Sequence, residues 1–196
     1  GNSAQFGGGI FNTAYSGRST TLTVRASTLS GNSAQFGGGI HNIAYGGGSA
    51  SVEIGSSILK AGASGGNIAN DSGTVSSDGY NMASDDGGGF LTGTADQINT
   101  DPMLGPLQDN GGPTFTMALL AGSAAINAGS NALVASLTTD QRGAGYSRIA
   151  GGTVDIGAFE IQSHPPANPT VNSLKTHVSK PVLTGNWDDI NAIVLQ

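Results

Sequence analysis

Carboxylates are the side chains of this chain best suited to chemistry, and Asp85-Asp86 is the one adjacent acidic pair in residues 1–161. Clustered carboxylates on one face hold Ca²⁺, and a separated pair can serve as acid and base in glycoside hydrolysis. Neighbours on a strand point to opposite faces, which works against Asp85 and Asp86 as a catalytic pair. With Gly87-Gly88-Gly89 next in line, the pair reads as a solvated turn, and Ca²⁺ binding is the alternative. Asp140, Arg142 and Asp155 read as an ion-paired or turn-capping network near the end of the domain, with catalysis as the competing reading. The histidines, His41, His164 and His177, have no spacing suited to a shared metal and are expected to be ordinary surface residues. Tyr15 and Tyr45 could hold a sugar ring on a protruding loop; alternatively they pack over the turn. Apart from Ca²⁺, no cofactor is expected.

The elements that must carry these residues come from a repeat. The stretch GNSAQFGGGI at Gly1 to Ile10 returns unchanged at Gly31 to Ile40, a shift of 30 residues. Fixed periods of roughly 20 to 50 residues mark solenoids and arrays, whose units cannot bury their apolar faces alone. Within the unit, Leu22, Val24 and Ala26 answer to Val52, Ile54 and Ser56, while Thr21, Thr23 and Arg25 answer to Ser51, Glu53 and Gly55. A period of two, rich in Val, Ile and Thr, predicts half-buried strands. The chain is therefore expected to be all-β, a parallel β-helix in which each circuit adds one rung and residues one period apart stack directly. That register places Phe6 on Phe36, Ile10 on Ile40, Asn12 on Asn42, Tyr15 on Tyr45 and Leu29 on Leu59, with the aromatic and aliphatic ladders inside. Stacked Asn side chains can satisfy one another's amides. Arg25 and Glu53 fall diagonally across neighbouring rungs.

The glycine triplets at Gly7, Gly37 and Gly46 read as the corners between strands, where positive φ is needed. A phosphate-cradling loop would want a following helix and usually a Lys, and neither is there. Ca²⁺-binding nonapeptides would continue Gly-Gly-x-Gly-x-Asp, but these triplets are followed by Ile10, Ile40 and Ser49. A regular Thr ladder of the ice-binding kind stops after one rung, since Thr21 and Thr23 give way to Ser51 and Glu53.

Composition narrows the partners. Only 10% of residues are charged, against a usual share of about 25%. A net charge of −6 with seven Lys plus Arg leaves no basic stripe for nucleic acid and no polybasic patch for anionic lipid. No apolar run approaches a membrane span, and no signal peptide opens the sequence. Gly1 is in phase with Gly31, so the chain is expected to be part of a longer protein; its open first rung should then favour self-association through unpaired strand edges. Cysteine is absent, which excludes disulfides and thiolate metal sites.

Two clear rungs, residues 1–30 and 31–60, precede a degenerate third over about 61–90, in which Asn67-Ile68-Ala69-Asn70 replaces Gly39-Ile40-His41-Asn42. Shorter, irregular pieces follow at 98–107, 114–120, 123–129 and 153–160. The expected organisation is a β-helix with closing motifs over residues 1–161, a proline-rich linker at 162–169, and an incomplete β-sandwich module at 170–196.

The repeat units, Gly31-Asn32-Ser33-Ala34 and Gly37-Gly38-Gly39-Ile40-His41-Asn42, resemble those of pectin-lyase-like and polymorphic outer-membrane-protein β-helices of bacterial surfaces. Five further segments, in order, are similar to the C-terminal signature of choice-of-anchor Q domains: Asp101-Pro102-Met103-Leu104-Gly105-Pro106-Leu107, Asp109-Asn110-Gly111-Gly112-Pro113-Thr114, Gly122-Ser123-Ala124-Ala125-Ile126-Asn127-Ala128-Gly129, Thr139-Asp140-Gln141-Arg142-Gly143 and Val154-Asp155-Ile156-Gly157-Ala158-Phe159-Glu160. The tail from Asn168 to Trp187 resembles the start of a bacterial immunoglobulin-like repeat. The resemblance implies a right-handed parallel β-helix on a large exported protein at the bacterial cell surface, with no shared catalytic residues to carry over. The expected function is a non-enzymatic stalk that contacts glycans or a neighbouring cell. The alternative is part of a polysaccharide lyase or hydrolase whose active site lies in further rungs.

Overall fold

Strands of period 30 lie beside one another in parallel, as stacking of equivalent residues requires. The computed structural model describes residues 1–162. In the first circuit the chain forms β1 (Ser3–Phe6), β2 (Ile10–Ala14) and β3 (Ser19–Arg25). The second contributes β4 (Thr28–Phe36), β5 (Ile40–Ala44) and β6 (Ser49–Gly55). The third contributes β7 (Ile58–Ala61), β8 (Ile68–Asp71) and β9 (Thr74–Gly79), and β10 (Met82–Ala83) follows. They make three parallel sheets, ordered β1-β4-β7-β10, β2-β5-β8 and β3-β6-β9, so successive strands visit the sheets in turn. The expected register holds in full: Phe6 pairs with Phe36, Ile10 with Ile40, Asn12 with Asn42 and Leu29 with Leu59. In the degenerate third unit Ile40 pairs with Ile68 and Asn42 with Asn70.

Alternation along the strands turns one side of each sheet to a shared interior core. Val24, Ile40, Val52, Ile54, Leu59 and Ile68 meet inside the circuits. Asn12, Asn42 and Asn70 form an interior amide ladder, each Nδ2 donating to the next Oδ1 at 2.7 Å. The sequence separation between bonded partners falls from 30 to 28 along this ladder, and to 24 where Ser57 N donates to Asn81 Oδ1, which measures how the third circuit shortens.

Corners need left-handed backbone. Gly7 and Gly37 turn with φ of 57° and 61°, and a Cβ on either would strike the carbonyl oxygen three residues on. Gly9 has no such φ; a Cβ there would sit 2.6 Å from Gly39 O, so it is the closeness of the next rung that requires glycine. The corner after β3 recurs at Ala26, Ser56 and Tyr80 with φ of 46°, 47° and 57°, a left-handed position that no glycine marks in the sequence.

Two expectations are corrected and one gains a partner. The aromatic ladder is outside rather than inside: Phe6 and Phe36, the last residues of β1 and β4, are 38% and 45% exposed. Arg25 does pair with Glu53 across neighbouring strands, at 3.9 Å, and Asp78, at 2.6 Å, is a nearer partner. Finally, the closing motifs do not seal the end of the interior core. Residues 91–100 do that: Leu91 joins the inner cluster, Tyr80 N bonds Thr94 O and Ala83 N bonds Gln97 O. The closing motifs instead form a layer on the outer face of the four-stranded sheet, built around an antiparallel pair, β11 (Leu104–Gln108) and β12 (Thr116–Leu119). Ile58 and Met82, neighbours in register, pack outward on Leu119, Ala125 and Ile156, while the adjacent Leu59 and Ala83 pack inward.

Among the described residues no helix is long and apolar enough to cross a membrane. The expected linker beyond Gln162, the module at 170–196, His164 and His177 lie outside the described residues.

Candidate functional site

Strand alternation places Ile10, Asn12 and Ala14 inward, so Phe11, Thr13 and Tyr15 share the outer face of the β2-β5-β8 sheet, and His41 and Tyr45 lie beside Phe11 and Tyr15 one circuit on. Tyr15 and Tyr45 stack with ring centroids 5.2 Å apart and planes 15° apart, and remain 57% and 41% exposed. A second aromatic group stands at the other end of these strands. There Phe6 and Phe36 stack at 5.5 Å, and Phe11 lies 6.2 Å from Phe6 and 5.4 Å from His41. The two groups bound one face roughly 13 Å long, at about 3.3 Å per residue. Sequence reasoning found the tyrosines and missed this second group, although the same alternation that puts Ile10 inside puts Phe11 outside.

His41 is not a surface residue. It is 1% exposed because the phenyl rings cover it, and its Nε2 lies 2.8 Å from Asp71 Oδ2 at the rim.

Asp85 and Asp86 lie outside any strand and have separate partners, both in turns. Asp85 accepts from Asn67 N, Asn67 Nδ2 and Gly87 N at 2.7 to 2.9 Å, tying the third circuit to its own corner. The exposed Asp86 accepts from Gly88 N at the start of a 3-10 turn, Gly87–Gly89. Among the described residues no three His, Asp or Glu side chains lie together as a metal site would need.

Asp140, Arg142 and Asp155 come together in the closing layer as a network, and two partners that sequence reasoning overlooked complete it. Arg142 grips Asp140 through Nε and Nη2 at 3.0 and 2.6 Å, and its guanidinium lies between the rings of Tyr146 and Phe159, 3.9 and 3.8 Å from their centroids. Asp155 accepts from Asn127 N and Ile161 N, both at 2.7 Å. Glu160, wholly buried, accepts from Ala150 N and Asp155 N. Arg148, also buried, donates through Nη2 to the carbonyls of Asp155 and Gly157. Burial pushes the Glu160 carboxyl up to about 7 against the pull of those two N–H donors, and it raises Asp155 in the same way. Burial lowers Arg148, which Glu160, Asp140 and Asp155 oppose by their charge. These carboxylates are engaged with backbone amides and hold the loops of the layer in place.

No family model, curated protein or solved structure matches this chain.

Proposed function

We propose that this chain is a right-handed parallel β-helix of the choice-of-anchor Q type, a segment of a large exported bacterial surface protein that acts as a rigid, non-enzymatic stalk and contacts glycans through exposed aromatic side chains. The observation that carries the reading is the Tyr15–Tyr45 stack, two rings in register and open to solvent on a regular outer face. Leaving such rings in water costs hydrophobic free energy that the interior could have recovered, and pyranose rings offer C–H faces that stack on them. The stacked register of the three parallel sheets supports the β-helix, and the full engagement of Asp140, Asp155 and Glu160 with backbone groups supports a scaffold over a catalyst.

The test is a glycan and polysaccharide array on the intact parent protein, read for retention and for cleavage, with and without Ca²⁺. Retention without cleavage, lost in a Tyr15→Ala/Tyr45→Ala variant, is the expected result. Cleavage of pectic or other acidic polysaccharides would replace this reading with that of a carbohydrate-active enzyme.

A further inference from the structure

Two adjoining clefts lie where the closing layer overhangs the outer face of the four-stranded sheet. They have volumes of about 250 and about 600 Å³ and adjoin at Thr28, Gln141 and Ala158, which line both, as a two-part trough. Ligand pockets run from about 300 to about 1,000 Å³, so the trough has room for a few sugar rings. We propose that it is a binding site for an uncharged saccharide; the proposal rests on the glycan reading above and gives it a second site and a ligand class.

Three features argue for that class. The first is the lining of the smaller cleft, where Asn2, Ser30 and Asn32 bring amides and a hydroxyl to the wall on the sheet side, and Gln141, bonded to Thr114, and Phe115, 61% exposed, line it from the closing layer. Fixed amides with an exposed ring suit a ligand that carries many hydroxyls and has one apolar face. The second is that this wall is held in place before any ligand arrives. Asn2 N donates to Asn32 Oδ1 at 2.9 Å, and Ala158 N donates to Thr28 Oγ1 at 3.0 Å.

The third feature is the charge of the larger cleft. Its two ionisable lining residues are Asp140 and Arg148. Asp140 is paired with Arg142 and also accepts from Glu160 N, so it has little left for a ligand amine. Arg148 lines the cleft but is 1% exposed, and its unpartnered Nε and Nη1 are buried rather than open to it. Glu160, Asp140 and Asp155 oppose its charge, so the cleft carries little net positive potential. A neutral, hydroxyl-bearing ligand can lie there without a counter-charge. A uronate would meet these same carboxylates on a chain of net charge −6.

The experiment is calorimetric titration of the chain with neutral hexaoses (cello-, manno- and xylo-) and with oligogalacturonate. Two variants accompany it: Phe115→Ala/Gln141→Ala, at exposed positions, and Tyr15→Ala/Tyr45→Ala. The expected result is binding of a neutral hexaose that weakens at least about tenfold in the Phe115/Gln141 variant, with melting unchanged, and persists in the Tyr15/Tyr45 variant. Binding lost only in the tyrosine variant would overturn the trough and leave the glycan reading standing. Preference for oligogalacturonate would overturn the uncharged class. Silence towards every saccharide would overturn both.

Discussion

Asn42 shows how one residue type can hold a stack of rungs together. Its amide nitrogen donates to Asn70 Oδ1 at 2.7 Å and shares its second proton between the carbonyls of Ala50 and Thr74 at 3.2 and 3.1 Å, and its oxygen accepts from Asn12; Asn42 itself is fully buried. Removing it leaves several buried polar groups without partners, and each such group costs about 1–3 kcal/mol. Asn42→Ala should therefore destabilise the chain by about 2–3 kcal/mol or more, measured as a shift in urea midpoint. Asn42→Asp should do comparable damage, because a carboxylate accepts but cannot donate onward along the ladder; a neutral result for either variant would remove the ladder from the stability argument. This residue was legible in the sequence, since Asn12 and Asn42 hold the same place in the 30-residue repeat while their neighbours Phe11 and His41 differ. Glu160 and Arg148 were not legible: they occur once, out of phase with any period, and only folding brings them beside Asp140 and Asp155.

At the scale of elements, β7 carries two cores on one short strand. Ile58 faces the closing layer and Leu59 faces the interior of the circuits, so either truncation to alanine opens a cavity at a cost of about 2–5 kcal/mol. The two losses should be felt in different places. Ile58→Ala should speed hydrogen exchange first at Gly129, Ile156 and Gly157, the amides bonded to Val154 O, Ala125 O and Ser56 O. Leu59→Ala should loosen the amides of β5 and β6 instead; exchange that accelerates at one common set in both variants would mean the layer and the circuits open as a single unit. The strands of the circuits could be read from alternation because each is bonded to a copy of itself one period away. The layer could not, because its anchors join residues far apart: Ser130 N reaches Ser56 Oγ across 74 positions and Ala158 N reaches Thr28 Oγ1 across 130. No local pattern encodes a contact of that span, so motifs placed at the end of the chain were read as closing the end of the fold.

For the whole molecule, that layer makes stability depend on pH in an unusual direction. Most buried carboxylates are held in the charged form by their partners, and acid removes the stability they contribute. Glu160 works the other way: its carboxyl stands near 7 in the fold against an ordinary 4.5, so the folded chain holds a proton that the unfolded chain releases. The stability linked to that proton is fully present below the unfolded value and is lost as pH rises through about 7. Asp155, raised for the same reason, adds to the trend. The urea midpoint should accordingly fall between about pH 5 and about pH 8, and Glu160→Gln, whatever it does to absolute stability, should flatten that slope. Because Ala150 N and Asp155 N both donate to Glu160, exchange at these two amides should quicken with pH beyond the intrinsic base-catalysed rise. A midpoint that rises across the window would mean that the two amides and Arg148 outweigh desolvation. The closing layer would then be fastened to the sheet by an ionised Glu160 and would loosen in acid.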